Sequence, residues 1–63
     1  MIEKFVDLHE GAKIGKNTII RSFAVVYDKV EIGNNVHIGH GTIIRPGAII
    51  EDNVHIGSLN QIE

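Results

Sequence analysis

Histidine side chains are the residues of this 63-residue chain best suited to chemistry, since the sequence contains four histidines and no cysteine. His37 and His40 lie three residues apart in a stretch that reads His-Ile-Gly-His-Gly. A neutral imidazole can accept a proton from a hydroxyl or an amine at neutral pH. Backbone N–H groups of a glycine-flanked turn can stabilise a negatively charged oxygen. The stretch therefore predicts His40 as a general base assisted by His37, with Gly39 and Gly41 as oxyanion donors.

The elements that must hold these residues are predicted by a six-residue period. Every sixth position is a branched aliphatic residue: Ile2, Leu8, Ile14, Ile20, Val26, Ile32, Ile38, Ile44, Ile50, Ile56 and Ile62. Four positions after each of them, another small or branched residue recurs: Val6, Ala12, Thr18, Ala24, Val30, Val36, Thr42, Ala48 and Val54. A period of six does not fit a helix but is a multiple of the strand period of two. Positions i+4 and i+6 therefore face a core, i+5 faces outward, and the three residues at i+1 to i+3 turn the chain.

The predicted turns carry glycine at i+1 and asparagine at i+3. These residues are Gly15, Gly33, Gly39 and Gly57, and Asn17, Asn35 and Asn53. Both types tolerate positive φ at low cost. Three strands and three turns form a coil of 18 residues, and Asn-Asn-Val-His-Ile-Gly at 34–39 returns as Asp-Asn-Val-His-Ile-Gly at 52–57. Stacked coils should pair as parallel strands about 4.8 Å apart, with the three asparagines in a ladder along one corner.

Apolar residues at outward positions predict an oligomer interface. Val25 and Ile43 should stack as exposed aliphatic residues on one face, and Phe5 and Phe23 should stack at one corner. Exposed apolar columns usually mark an interface. The alternative is ordinary surface apolarity, which needs no partner.

His37 and His55 occupy the same outward position on consecutive coils, which predicts Cβ atoms about 5 Å apart. A stacked pair of this kind can contribute two ligands to a zinc site, but a closed site needs at least a third. Repetition of the 18-residue coil alone also reproduces a histidine at the second position. No metal is therefore our main expectation, and binding through His37 and His55 is the alternative.

The repeated pattern Ile-Gly-x-x-Val/Thr-x resembles the hexapeptide-repeat family over essentially the whole chain. The resemblance implies an all-β fold, a left-handed parallel β-helix shaped as a triangular prism. The chain length of 63 residues divided by 18 corresponds to about three and a half coils. Members of this family are typically trimers with parallel prisms, so the resemblance also implies a homotrimer.

The stretch 37–41 resembles the His-Ile-Ala-His-Asp-like motif of the sugar-nucleotide and lipid A acyltransferases in this family. The resemblance places His40 in the position of the catalytic base, and Gly41 stands where the motif has an acidic residue. It implies acyl transfer from an acyl-CoA, in particular acetyl-CoA, or from an acyl carrier protein. The acceptor would be a sugar nucleotide or a similar small molecule bound between subunits. No tightly bound cofactor is expected.

Two other functions remain open at the level of sequence. A short prism that only trimerises or stacks would be a structural or oligomerisation module. The gamma-class carbonic anhydrases share the fold and bind zinc through histidines of two adjacent subunits. Their pattern has two histidines five residues apart, whereas the spacings in this chain are three and eighteen.

Composition and hydropathy limit the partners and the cellular location that we expect. The formal net charge of −2 and the lack of a Lys/Arg cluster argue against a nucleic-acid partner. No apolar run approaches the length of a membrane-spanning helix and no signal peptide opens the chain, so we expect no membrane insertion and a cytoplasmic location. We expect a single domain over residues 1–63 that is part of a longer protein.

Overall fold

The computed structural model describes residues 1–62, which fold into two-residue strands separated by turns. The strands are β1 (Asp7–Leu8), β2 (Lys13–Ile14), β3 (Ile19–Ile20), β4 (Val25–Val26), β5 (Glu31–Ile32), β6 (His37–Ile38), β7 (Ile43–Ile44), β8 (Ile49–Ile50), β9 (His55–Ile56) and β10 (Gln61–Ile62). Each strand has one outward residue and one inward residue. The strands are short because three residues of each six-residue repeat form a turn.

The strands assemble into three parallel sheets, β1-β4-β7-β10, β2-β5-β8 and β3-β6-β9. Paired residues are 18 positions apart, as in Ile20 with Ile38. An isolated bridge between Ile2 and Ile20 adds the first coil to the third sheet. The observed architecture confirms the predicted all-β fold, a left-handed parallel β-helix with 18-residue coils.

The inward positions form the core that the six-residue period predicts. Its buried aliphatic residues are Ile20, Ala24, Val26, Val30, Ile32, Val36, Ile38, Ile44, Ala48 and Ile50. Thr18 and Thr42 are buried among them, and their hydroxyl groups donate to the carbonyl oxygens of Gly33 and Gly57 at 2.8 Å. These bonds remove the cost of burying a hydroxyl group. Threonine can therefore replace valine in this column.

The turns stack into three corners of the prism, which we name by their residues. The histidine corner comprises 3–5, 21–23, 39–41 and 57–59, the asparagine corner 15–17, 33–35 and 51–53, and the tyrosine corner 9–11, 27–29 and 45–47. The histidine corner follows sheet β3-β6-β9, the asparagine corner follows sheet β2-β5-β8, and the tyrosine corner follows sheet β1-β4-β7-β10.

Positive φ occurs at i+3 of every turn in the described residues. These residues are Phe5, Gly11, Asn17, Phe23, Lys29, Asn35, Gly41, Gly47, Asn53 and Leu59. The prediction that the i+1 glycines supply positive φ is therefore wrong. Three of them are required by close packing instead. A Cβ on Gly15 would lie 2.5 Å from the carbonyl oxygen of Gly33, one on Gly33 would lie 2.2 Å from Asp52 Oδ1, and one on Gly39 would lie 2.6 Å from the carbonyl carbon of Gly57.

The predicted asparagine ladder lies one position earlier than expected. Asn34 Oδ1 accepts a hydrogen bond from the backbone N–H of Lys16, and Asp52 Oδ1 accepts one from the N–H of Asn34, each at 2.7 Å. Asn35 and Asn53 instead occupy i+3, where they adopt the left-handed conformation that asparagine tolerates. The ladder therefore runs through i+2, because the N–H groups there have no partner in the sheets.

Exposure of the predicted interface residues differs between the two groups. Val25 and Ile43 are only half-exposed, because each lies between two neighbours of its own column in the parallel register. The predicted Val25/Ile43 column is therefore present but only partly exposed, and its role in an interface stays a prediction. Phe5 and Phe23 are 72% and 65% exposed, and their rings stack with centroids 5.4 Å apart. Leu59, on the same corner, is 82% exposed.

Residues 1–62 include no helix that is long and apolar enough to cross a membrane.

Candidate active site

An open groove of about 370 Å³ runs along sheet β3-β6-β9 and the adjoining histidine corner. Its lining includes Arg21, His37, His40, His55 and Ser58. The strands β6 and β9 supply one histidine each at their outward positions, and the turn that follows β6 supplies His40. The fold thus brings together all three histidines that the sequence singled out.

His37 and His55 are directly paired in the parallel register of β6 and β9. Their rings meet edge to face, with centroids 5.6 Å apart and planes inclined by 68°. The predicted placement of the two histidines at the same position of consecutive coils is therefore confirmed. Residues 1–62 contain no group of three or more histidine or carboxylate side chains placed to hold a metal ion, so the geometry offers this pair no third ligand.

Arg21 joins this pair from the previous coil. Its Nε donates a hydrogen bond to Nε2 of His37 at 3.1 Å, and its Nη1 donates to Oε2 of Glu3 at 2.7 Å. Oε1 of Glu3 in turn accepts from the backbone N–H of Ser22 at 2.9 Å and from its hydroxyl at 3.3 Å. A chain of hydrogen bonds therefore runs from a carboxylate through a guanidinium to an imidazole.

Glu3 and Arg21 were not singled out from the sequence as partners of a histidine. Both occupy i+1 of the histidine corner, and they are 18 residues apart. Reading that column in steps of 18 would have found this ion pair. The Arg21–His37 contact is less visible in sequence, because it joins two different positions of neighbouring coils.

The electrostatics of Glu3 follow from these contacts. The hydrogen bond from Arg21 lowers the pKa of the Glu3 carboxyl below its usual value, and the hydrogen bond from the backbone of Ser22 lowers it further. Glu3 is therefore charged at neutral pH, and it anchors the guanidinium of Arg21.

His40 differs from His37 because its imidazole is exposed and makes no hydrogen bond or ion pair within residues 1–62. Its backbone is held, since its carbonyl oxygen accepts from the N–H of Leu59 at 2.8 Å. A fixed backbone with a free ring suits a group that must meet a ligand from outside. The structure thus leaves His40 available for the role of base that the sequence predicts.

The predicted oxyanion donors are placed differently. The N–H of Gly39 donates to the carbonyl oxygen of Ile56 at 2.9 Å, and that of Gly41 donates to the carbonyl oxygen of Ser22 at 3.2 Å. Neither N–H is free to bind an oxyanion in this arrangement, because the contacts between coils use the amides at i+1 and i+3. The N–H of His40, at i+2 between them, makes no hydrogen bond within the described part of the chain.

The fourth histidine lies on the tyrosine corner, outside the groove. His9 Nε2 lies 3.3 Å from Oδ2 of Asp7, and its ring packs against Tyr27 with centroids 4.8 Å apart. The guanidinium of Arg45, one coil further along, lies 5.8 Å from the centroid of the Tyr27 ring. These three side chains form a stacked column, so His9 has structural partners that His40 lacks.

Comparison with protein-family models matches residues 29–62 to the model described as bacterial transferase hexapeptide (six repeats). The matched stretch is more than half of the chain and contains the three histidines of the groove, whereas Glu3 and Arg21 lie before it. No curated protein matches the chain, and no solved structure does so either.

Proposed function

Because the chain belongs to the bacterial transferase hexapeptide (six repeats) family, we propose that it is an acyltransferase with His40 as its general base. The observation that carries the proposal is the exposed imidazole of His40, which has no partner within residues 1–62 and borders the groove. A base needs an unengaged ring nitrogen within reach of the acceptor.

The proposed reaction transfers an acyl group from a thioester, such as acetyl-CoA or an acyl carrier protein, to an amine or hydroxyl. The acceptor attacks the thioester carbonyl and forms a new C–N or C–O bond while His40 takes its proton. The tetrahedral intermediate then collapses, the C–S bond breaks, and the imidazolium returns the proton to the departing thiolate. The unengaged N–H of His40 supplies one donor for the oxyanion, in place of the bonded amides of Gly39 and Gly41.

The substrates and the assembly belong to the same proposal. The acceptor is a sugar nucleotide or a similar small molecule, and the donor places the reaction in the cytoplasm. The protein acts as a homotrimer, in which the exposed Phe5 and Phe23 are packed against a neighbouring copy. His37 assists from the wall of the groove.

The experiment measures thiol release from acetyl-CoA with a thiol-reactive dye, across a panel of amino-sugar nucleotides. Because the chain has no cysteine, the protein itself contributes no thiol background. His40→Asn should lower kcat by about 10²–10⁴-fold, which is the usual contribution of a general base. His9→Asn is the matched control, since His9 lies outside the groove and should retain turnover. Full turnover in His40→Asn would refute the assignment.

A second candidate function is a structural or oligomerisation module, favoured by the exposed phenylalanine pair of the histidine corner. Sedimentation of the intact chain tests it. A trimer that lacks thiol release with every acceptor and donor supports the module, whereas a stable monomer contradicts it.

A further inference from the structure

The hydrogen bond between Arg21 and His37 has a defined direction. A guanidinium has only N–H donors and no acceptor, so Nε2 of His37 must present its lone pair to Arg21 Nε. In a neutral imidazole the other ring nitrogen then carries the hydrogen. His37 is therefore held with its hydrogen on Nδ1, the form that free neutral histidine populates less.

Arg21 can impose this form because its guanidinium is anchored at a second point. Glu3 accepts from Nη1 of Arg21 with one carboxylate oxygen, and with the other it accepts from the backbone of Ser22. The ion pair is partly shielded, since the side chains of Arg21 and Glu3 are 34% and 22% exposed. Two fixed contacts on a planar group leave it little freedom to release the imidazole.

We propose that Arg21, anchored by Glu3, is a positioning residue that makes His37 a hydrogen-bond donor through Nδ1 and prevents it from acting as a base. The catalytic meaning of this assignment rests on the proposed acyl transfer, but the tautomer itself does not. The two histidines of the His-Ile-Gly-His stretch then have different roles. His40 takes the proton, and His37 offers one hydrogen to the ligand or to the oxyanion.

The test reads the tautomer directly by two-dimensional ¹H–¹⁵N spectra of the imidazole rings in ¹⁵N-labelled protein. The spectra are recorded at about pH 8.5, above the ordinary histidine titration range. The wild-type protein should show His37 with protonated Nδ1 and unprotonated Nε2. Arg21→Met should shift His37 towards the Nε2–H form, and Glu3→Gln should shift it in the same direction by a smaller amount.

Arg45→Met is the matched control, since Arg45 also occupies i+1 of a turn but packs against Tyr27 on the tyrosine corner. It should leave the His37 signals unchanged. A wild-type spectrum with hydrogen on Nε2 of His37 overturns the proposal, whatever the variants do. An unchanged tautomer in folded Arg21→Met also overturns it.

Kinetics supply a second readout that a purely structural role would not produce. Arg21→Met and His37→Asn should lower kcat by similar factors with little change in KM, and the double variant should be no slower than His37→Asn alone. Additive losses in the double variant would contradict the coupling. If the wild-type chain releases no thiol at all, the proposed function fails while the tautomer result still stands or falls by the spectra.

Discussion

The histidine corner and the asparagine corner share one backbone path but differ in how they meet its conformational cost. Both place residues with positive φ at i+3, with Asn35 at 58° on the asparagine corner and Phe23 at 68° on the histidine corner. Asparagine is enriched in this region, whereas a bulky residue there is an outlier that costs about 1–2 kcal/mol. The asparagine corner therefore holds the residues that the backbone favours.

The same two corners also differ in how they satisfy the backbone N–H at i+2. On the asparagine corner the N–H of Asn34 donates to Asp52 Oδ1 on the next coil. On the histidine corner the N–H of His40 has no such partner within residues 1–62, although Ser58 occupies the corresponding position. One coil earlier on the histidine corner the N–H of Ser22 does donate to Oε1 of Glu3. The difference between the corners therefore lies at the coil of His40.

The histidine corner has bulky residues at positive φ and exposed aromatic rings, both of which disfavour the isolated fold. It also has a backbone amide and an imidazole, both of His40, that make no hydrogen bond within residues 1–62. Such features persist where a binding partner or a ligand compensates for them. The contrast between corners of one prism thus supports the proposal that the functional site lies on the histidine corner.

The largest stability effect is expected at Gly39, where the turns of the histidine corner pack closely from one coil to the next. Gly39→Ala places a Cβ 2.6 Å from the backbone of Gly57 and should lower the free energy of unfolding by about 3 kcal/mol. Gly57→Ala is the control, since its Cβ would lie 3.4 Å from the side-chain nitrogen Nδ2 of Asn60, which is an ordinary contact. This substitution should cost less than about 1 kcal/mol. Denaturant unfolding measures both, and equal costs would contradict the packing role.

The ladder of the asparagine corner should contribute a smaller amount. Asp52→Ala removes the acceptor of the Asn34 N–H and should cost about 1 kcal/mol in unfolding free energy. Ser58→Ala, at the same turn position of the histidine corner, removes no side-chain hydrogen bond within residues 1–62 and should change the unfolding free energy by less than about 0.5 kcal/mol. If Ser58→Ala costs as much as Asp52→Ala, the side-chain acceptor at i+2 does not distinguish the stability of the two corners.

Exchanging residue types between the corners should have opposite effects on stability and on assembly. Phe23→Asn relieves a bulky residue at positive φ by about 1–2 kcal/mol and loses about 0.5–1.5 kcal/mol of ring stacking on Phe5. The monomer should gain about 0.5 kcal/mol, while self-association weakens. Unfolding at low concentration and sedimentation measure the two effects. Unchanged association would show that the phenylalanine pair is not the interface.

The smallest effect concerns pH and the anchor of the histidine corner. Because folding lowers the pKa of Glu3, its contribution to stability is present above the ordinary glutamate value and is lost as the pH falls through the lowered folded value. Thermal midpoints should therefore fall more between pH 7 and pH 3 in the wild type than in Glu3→Gln. Glu10→Gln, on the tyrosine corner, should behave like the wild type. If the thermal midpoints of the wild type and Glu3→Gln fall equally, Glu3 does not stabilise the fold by anchoring Arg21.

The positions of the three histidines in the groove can be predicted from the sequence, but the hydrogen bonds of the site cannot. The six-residue phase places His37 and His55 on one face and His40 on the adjoining turn, and the structure brings them into one groove. The sequence predicts Gly39 and Gly41 as oxyanion donors because they flank the turn that carries His40. Donor availability depends on which amides the neighbouring coils occupy, and that follows from the register.

The sequence by itself determined the all-β coil, its period and the core, because a repeat of aliphatic residues at i+4 and i+6 leaves a single way to bury apolar surface. Only the tertiary structure decided which side chains are free to act. Arg21 reaches His37 and Glu3 because the coils stack, and Val25 and Ile43 are partly covered by their neighbours on adjacent coils for the same reason. These outcomes depend on contacts between neighbouring coils at atomic distances, which residue spacing alone does not contain.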